Sequence, residues 1–213
     1  MVNYWLDEAR VLEEADYGRM NMPVRYRDAV WDRVPEGSAK KFVGVYLEKL
    51  RMMRDEGTGF YVYGPNGHGK TALACIVLRA FRSHGQPCLF VRHSKLIRSA
   101  YKDIRLFEDA PPLWDLSRSV DVLLIDDFGK AHESESGFSD AELEDLLRDR
   151  YDNRLVTIFT SNLSGTKLAE RGVIESTISV LQGMAVPLGL IGEGQRAQES
   201  KDVLSMLLGE IDE

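Results

Sequence analysis

Apolar residues along the chain fall into short runs bounded by glycine, proline and charged residues, and these runs alternate with stretches of helical spacing. Phe60-Tyr61-Val62-Tyr63, Leu89-Phe90-Val91, Val122-Leu123-Leu124-Ile125, the stretch from Leu155 to Phe159 and, more weakly, Ala185 to Leu188 read as strands. Val122 to Ile125 has no polar position to turn toward water, the pattern of a parallel strand covered on both faces. Asn3 to Tyr17 reads as a short acidic helix that Gly18 to Pro23 breaks. Lys40 to Met53 places Phe42, Val43, Tyr46, Leu47 and Leu50 at helical spacing, and Thr71 to Arg82 and Ser94 to Phe107 are further helices. Ser139 and Glu142 form a capping box ahead of Leu143, Leu146 and Leu147. From Ala197 the tail carries Val203, Leu204, Leu207, Leu208 and Ile211 along one helical face. Strands alternating with helices predict an α/β fold: a parallel five-stranded sheet flanked by helices, with ligand at the C-terminal ends of the strands.

Composition narrows the class. The 213 residues, 44% hydrophobic and 29% charged, suit one soluble domain with a single substantial core. No run approaches the roughly eighteen apolar residues of a membrane span, and acids stand where an export signal is basic and then apolar. Cys75 and Cys88 each lie in an apolar stretch and read as buried free thiols, so a reducing cytoplasm is expected. The net charge of −7 argues against a surface that binds nucleic acid everywhere. The charge is uneven, however. Seven Lys/Arg between Arg79 and Arg105 face only Asp103, and the balance turns acidic from Glu108 to Asp152.

The chemistry begins at Gly64-Pro65-Asn66-Gly67-His68-Gly69-Lys70-Thr71, which follows a strand and opens a helix. Glycines at this spacing let successive backbone N–H groups turn inward around phosphates, with the dipole of the helix behind them. In such a loop the lysine neutralises β/γ charge and the hydroxyl binds Mg²⁺, so ATP with Mg²⁺ is the expected ligand. Asp126 and Asp127 end a buried strand, where carboxylates need a partner; Asp126 is placed to hold the Mg²⁺ and Asp127 to orient or deprotonate a water. The bland alternative is that one of the pair caps the following turn. Asn162, after Leu155–Phe159, lies on the same rim, where its amide can bond both a γ-phosphate oxygen and a water; Thr160-Ser161-Asn162 also reads as an ordinary strand-to-loop turn.

Together with Leu123-Leu124-Ile125-Asp126-Asp127-Phe128-Gly129, Arg150-Tyr151 and Thr157-Ile158-Phe159-Thr160-Ser161-Asn162-Leu163, the phosphate loop resembles that of AAA+ ATPases of the DnaC/IstB type. These are bacterial and phage helicase loaders and the ATPase subunits of some insertion-sequence transposition systems. Pro23-Val24-Arg25-Tyr26-Arg27 resembles the segment preceding the loop in that family. The resemblance implies an AAA+ domain over residues 23–196, with residues 1–22 an N-terminal helical extension and 197–213 a C-terminal amphipathic helix. It implies Asn162 as a sensor and catalysis completed by an arginine from a neighbouring subunit of a homo-oligomer formed on ATP or DNA. Arg196, in Gly192-Glu193-Gly194-Gln195-Arg196, resembles a late family arginine and is a candidate catalytic residue. Thr177 stands where related chains carry an arginine in the 168–181 segment, which leaves Arg171 as a shifted substitute or hydrolysis weak.

Over Ser94 to Phe107, helical geometry puts Lys95, Arg98, Lys102 and Arg105 within an arc of about 80°, opposite Leu96, Ile97, Ala100, Tyr101, Ile104 and Phe107. That stripe is a candidate contact for single-stranded DNA; a solvated helix face is the alternative. The leading expectation is an ATPase that loads or remodels a replicative DnaB-type helicase on single-stranded DNA, with no membrane partner. An IstB-like transposition ATPase, a non-hydrolysing nucleotide-gated adaptor and a small-molecule kinase are alternatives. The kinase fits least, because no arginine-rich lid segment is present.

Overall fold

The apolar runs become a sheet whose two faces are both covered. The computed structural model describes residues 9–129 and 138–190. Among these, β1 (Gly59–Tyr63), β2 (Cys88–Arg92), β3 (Val122–Phe128), β4 (Val156–Ser161) and β5 (Ala185–Gly189) form one sheet in the order β2-β3-β4-β1-β5. Every pairing is parallel, as the two-sided apolar runs predict. The helices are α1 (Glu14–Arg19), α2 (Ser38–Glu48), α3 (Leu50–Asp55), α4 (Lys70–Ser83), α5 (His93–Ser99), α6 (Leu113–Ser119), α7 (Phe138–Asp152), α8 (Gly165–Glu170) and α9 (Glu175–Met184). Among the described residues no helix is long and apolar enough to cross a membrane.

Strand alternation sends Phe60, Val62, Leu124 and Ile158 into one core with Leu73, Val77 and Phe81 of α4 and Tyr46 of α2. Tyr61, Leu123, Ile125 and Phe159 enter the other core, against Leu143, Leu146 and Leu147 of α7 and Leu181 of α9. Each such side chain contributes about 1.5–3 kcal/mol by leaving water. Cys75 and Cys88 are free and buried.

Several local expectations need correction. Among the described residues, which exclude 1–8, the helix expected from Asn3 to Tyr17 is present only from Glu14 and runs through Gly18 to Arg19. Asp16 sets the start by accepting the Glu13 N–H at 3.1 Å, while Arg10 is drawn aside to the Ser83 carbonyl and to the Asp16 carboxylate. The single helix expected over 40–53 is two, α2 and α3, meeting at Lys49 where φ is −112° and ψ 25°. The strand expected to close at Phe159 continues through Thr160 and Ser161, whose hydroxyls find partners inside the sheet. Helix α7 already includes Phe138, ahead of the cap expected at Ser139, whose side chain lies outside what the structure describes, as does the tail helix expected over 197–213.

The largest correction concerns the basic stripe. Helix α5 ends at Ser99 rather than Phe107. Beyond it the chain is held by Arg105, which donates to the Ala110 carbonyl at 2.8 Å, and by the Leu113 N–H on the Ile104 carbonyl at 2.6 Å. These tertiary bonds win over a local helical period, as they often do. Tyr101 and Phe107, expected against the sheet, are about half exposed at 50% and 47%.

Two buried charges tie the elements together. Arg150 of α7 is fully buried and donates to the carbonyls of Ser117 (2.9 Å), Val120 (2.7 Å) and Val156 (2.8 Å) and to the Thr157 hydroxyl (2.9 Å). Burial lowers its pKa to about 9. Asp16 of α1 receives Arg82 of α4 at 2.9 Å as well as Arg10, and these hydrogen bonds hold its carboxyl well below the usual range. The N-terminal segment also closes the outer edge of β2. Phe90 donates its N–H to the Met20 carbonyl at 2.8 Å and accepts the Asn21 side-chain amide at 2.9 Å.

Arg150→Met removes the Arg150 donor from three buried carbonyls and is expected to lower stability by about 3 kcal/mol, read from the midpoint of urea unfolding. Asp16→Asn is expected to lower the melting temperature at pH 7. Because the native carboxyl titrates below its unfolded value, its contribution is full above about pH 4 and fades as pH falls further. The gap between wild type and variant should therefore close in acid.

Candidate nucleotide-binding site

The phosphate loop lies between the end of β1 and the start of α4. Gly67 and Gly69 both take φ of +82°, a conformation that a side chain disfavours and that turns consecutive N–H groups to one side. Gly64, at φ +152°, has no space for a Cβ, which would sit 2.3 Å from the Leu190 carbonyl oxygen. That crowding exists because Leu190 continues β5 and donates its N–H to Tyr63 at 2.7 Å. Lys70, first residue of α4, is buried, and its ammonium donates to the carbonyls of Gly64 (2.9 Å) and Pro65 (2.8 Å) and to Asn162 Oδ1 (2.9 Å). His68 places Nδ1 3.0 Å from the Asn66 carbonyl.

The acidic pair owes its position to a bulge. Ile125 of β3 pairs with Phe159, and Phe128 pairs with Ser161, so two residues of β3 stand opposite Thr160 alone. Asp127 takes φ of +58° there. In a regular strand Asp126 and Asp127 would point to opposite faces; here both line the same cleft. Thr160 fills the gap in the ladder. Its hydroxyl accepts the Asp127 N–H at 3.0 Å and donates to Asp126 Oδ1 at 2.7 Å. Thr71 donates to the same oxygen at 2.8 Å. Asp126 is 5% exposed, and desolvation raises its pKa against the opposing effect of the two hydroxyls. A desolvated carboxylate beside a phosphate-loop hydroxyl is a donor set that suits a divalent cation.

The cleft has a volume of about 410 Å³, within the range of small-molecule sites. Residues Asn66 to Thr71, Asp126, Asp127 and Asn162 line it, while Gly64 and Pro65 stand behind, supplying carbonyls to Lys70. Opposite the loop, residues 25–34 form the other wall, with Ala29, Val30 and Val34 apolar and Arg25, Asp28 and Arg33 polar. Arg92 enters from the end of β2, in register with Asp126.

Sequence reasoning missed Thr160, Arg92 and most of this wall. Arg92 had a usable signal, since it ends a strand at the same rim as Asp126 and Asn162. The wall had a signal only at Arg25 and Tyr26, within the Pro23–Arg27 resemblance, because nothing local says where residues 28–34 pack.

The proposed nucleic-acid residues do not form one stripe. Lys95 and Arg98 lie on α5, and Lys102 and Arg105 lie on the loop beyond it. Arg105 is engaged with Asp103 at 3.1 Å, and Lys95 lines a shallower groove of about 360 Å³ that shares Arg92 with the cleft. Thr177 is buried in α9 and Arg171 is exposed after α8; Arg196 lies outside the described residues.

The fold is similar to several solved structures. DnaI superposes with a TM-score of 0.66 at 21% identity, covering 82% of this chain and 94% of DnaI. The DnaC helicase loader gives 0.63 at 24% identity, covering 79% of this chain and all of that one. The replication initiator DnaA bound to AMPPCP and single-stranded DNA gives 0.63 at 17% identity over 84% of this chain, which spans about 55% of DnaA. No curated protein sequence matches the chain. The sequence profile of the ATPase family associated with various cellular activities (AAA) matches residues 60–174, more than half of the chain and the stretch from β1 past the bulge and Asn162. With its parallel sheet, phosphate loop and paired acids, this chain belongs to the AAA family of ATPases.

Proposed function

We propose that this chain is a DnaC/IstB-type helicase loader, an AAA+ ATPase that assembles or remodels a DnaB-type replicative helicase on single-stranded DNA. The observation that carries the enzymatic half is the gathering of Lys70, Thr71, Asp126, Asp127 and Asn162 around one cleft. The client half rests on the likeness to the DnaC helicase loader, all of whose solved chain is covered, and to DnaI.

In this reading the loop N–H groups and Lys70 hold the β- and γ-phosphates of ATP. Thr71 and Asp126 would hold Mg²⁺, which would offset charge on the phosphate oxygens. Asp127 orients a water and takes its proton as the water oxygen bonds to the γ-phosphorus. The bond from that phosphorus to the bridging oxygen then breaks, leaving ADP and inorganic phosphate. Asn162, already bonded to Lys70, links the phosphate end to the tip of β4 and serves as sensor. Arg196 is the family-based candidate for the arginine supplied to a neighbouring subunit. Residues 1–22 and 197–213 are the segments proposed to contact the client, outside the ATPase domain of residues 23–196. A cytoplasmic location follows from such a role.

A non-hydrolysing, nucleotide-gated adaptor is the second reading. It is favoured by Thr177, which is 2% exposed where the resemblance calls for a reaching arginine.

Lys70→Ala is expected to weaken ATP binding by at least about tenfold. Asp127→Asn is expected to retain binding and lower turnover by about 100-fold, both read by titration calorimetry and phosphate release. Wild-type protein that binds ATP but releases no phosphate, with or without single-stranded DNA, would favour the adaptor. An affinity pull-down from the source cell is expected to recover a DnaB-type helicase with the wild type and lose it with Lys70→Ala; recovery of a transposase instead would overturn the loader assignment.

A further inference from the structure

We infer that Arg79 is a positioning residue that sets the spacing between the phosphate loop and the opposite wall of the cleft, and so governs affinity for the nucleoside part of the ligand. The inference rests on the nucleotide-site reading above and concerns a residue outside every motif of the sequence. Arg79 lies on α4, eight residues after Thr71, a rise of about 12 Å along the helix whose first turn faces the phosphates. Its two terminal nitrogens donate to the carbonyls of Arg27 and Ala29, two residues apart in the wall segment. Ala29 itself lines the cleft, between Asp28 and Val30.

The wall has little regular structure of its own. It consists of two single turns, Val24–Tyr26 and Trp31–Arg33, and Arg79 grips the stretch between them. A nucleotide held at both its phosphates and its base has a limited reach, so the loop and the wall must be held at a matching separation. A guanidinium fork anchored on the phosphate-loop helix can impose that separation, because it bonds two carbonyls at fixed geometry. The stem of Arg79 is partly buried, and its Nε is buried without a hydrogen-bond partner. The side chain therefore gives up one bond of its own to place the other two, which suits positioning better than simple surface solvation. A lysine cannot substitute, because one ammonium on a flexible stem does not hold two carbonyls in a fixed relation.

Phosphate contacts and wall contacts can be separated by choice of ligand. Inorganic tripolyphosphate engages only the loop, whereas ATP engages both. Calorimetric titration of the full chain in magnesium should show Arg79→Met weakening ATP by about tenfold, with tripolyphosphate changed less than about twofold. Arg79→Lys should recover little of the loss, and it carries the same test if Arg79→Met does not fold. Equal weakening of both ligands would assign Arg79 to general stability and overturn the inference, as would unchanged ATP affinity. Wild-type protein that binds tripolyphosphate and ATP equally would show that the wall takes no nucleoside and would overturn this inference alone. Wild-type protein that binds neither would overturn the nucleotide-site reading itself and this inference with it.

Discussion

The extra residue in β3 is the constraint on which the site depends. A strand alternates its side chains, so consecutive aspartates cannot share a cleft unless the ladder is interrupted between them. The bulge supplies the interruption, and the left-handed conformation of Asp127 completes it. A bulge leaves backbone and side-chain groups to be satisfied, and Thr160 meets that need with one hydroxyl that accepts from Asp127 N–H and donates to Asp126. Because Thr71 donates to the same Asp126 oxygen, the first turn of α4 and the end of β4 are tied to one carboxylate. Three elements thus meet at a single buried group.

The rest of the sheet makes that arrangement rigid. With both faces covered, β1, β3 and β4 are locked in register, so their C-terminal ends form a fixed rim. Lys70 then bridges the loop to Asn162 across the rim, and Arg150 holds the opposite end of β4 to α6 and to the turn preceding β3. The N-terminal segment serves the same frame from outside. It closes the edge of β2 through Met20 and Asn21, is pinned to α4 through Asp16, and then continues as the second wall of the cleft. The two walls accordingly belong to one mechanical unit.

Much of this was legible in the residues alone. Two-sided apolar runs predict a parallel sheet, and Gly64 to Thr71 predict the phosphate loop, because backbone crowding and left-handed turns admit few residue types. The place of Asp126 on the rim was legible too, since a carboxylate ending a buried strand needs a partner, and Thr71 and Thr160 both donate to it. The helix drawn through Phe107 was not, because its period is local, whereas Arg105 and Leu113 are satisfied by bonds that no period reveals.

What the sequence determined by itself was therefore the fold class, the phosphate loop and the rim on which the acids sit. Each follows from short-range rules of periodicity, glycine conformation and burial. Only the tertiary structure decided that Asp126 and Asp127 face the same way, that Thr160 holds them, that Arg79 reaches the wall, and that the cations of residues 95–105 do not share a helix face. These depend on a one-residue shift of register and on contacts between residues far apart in the chain. In both cases the free energy lies in partners that the local sequence does not name.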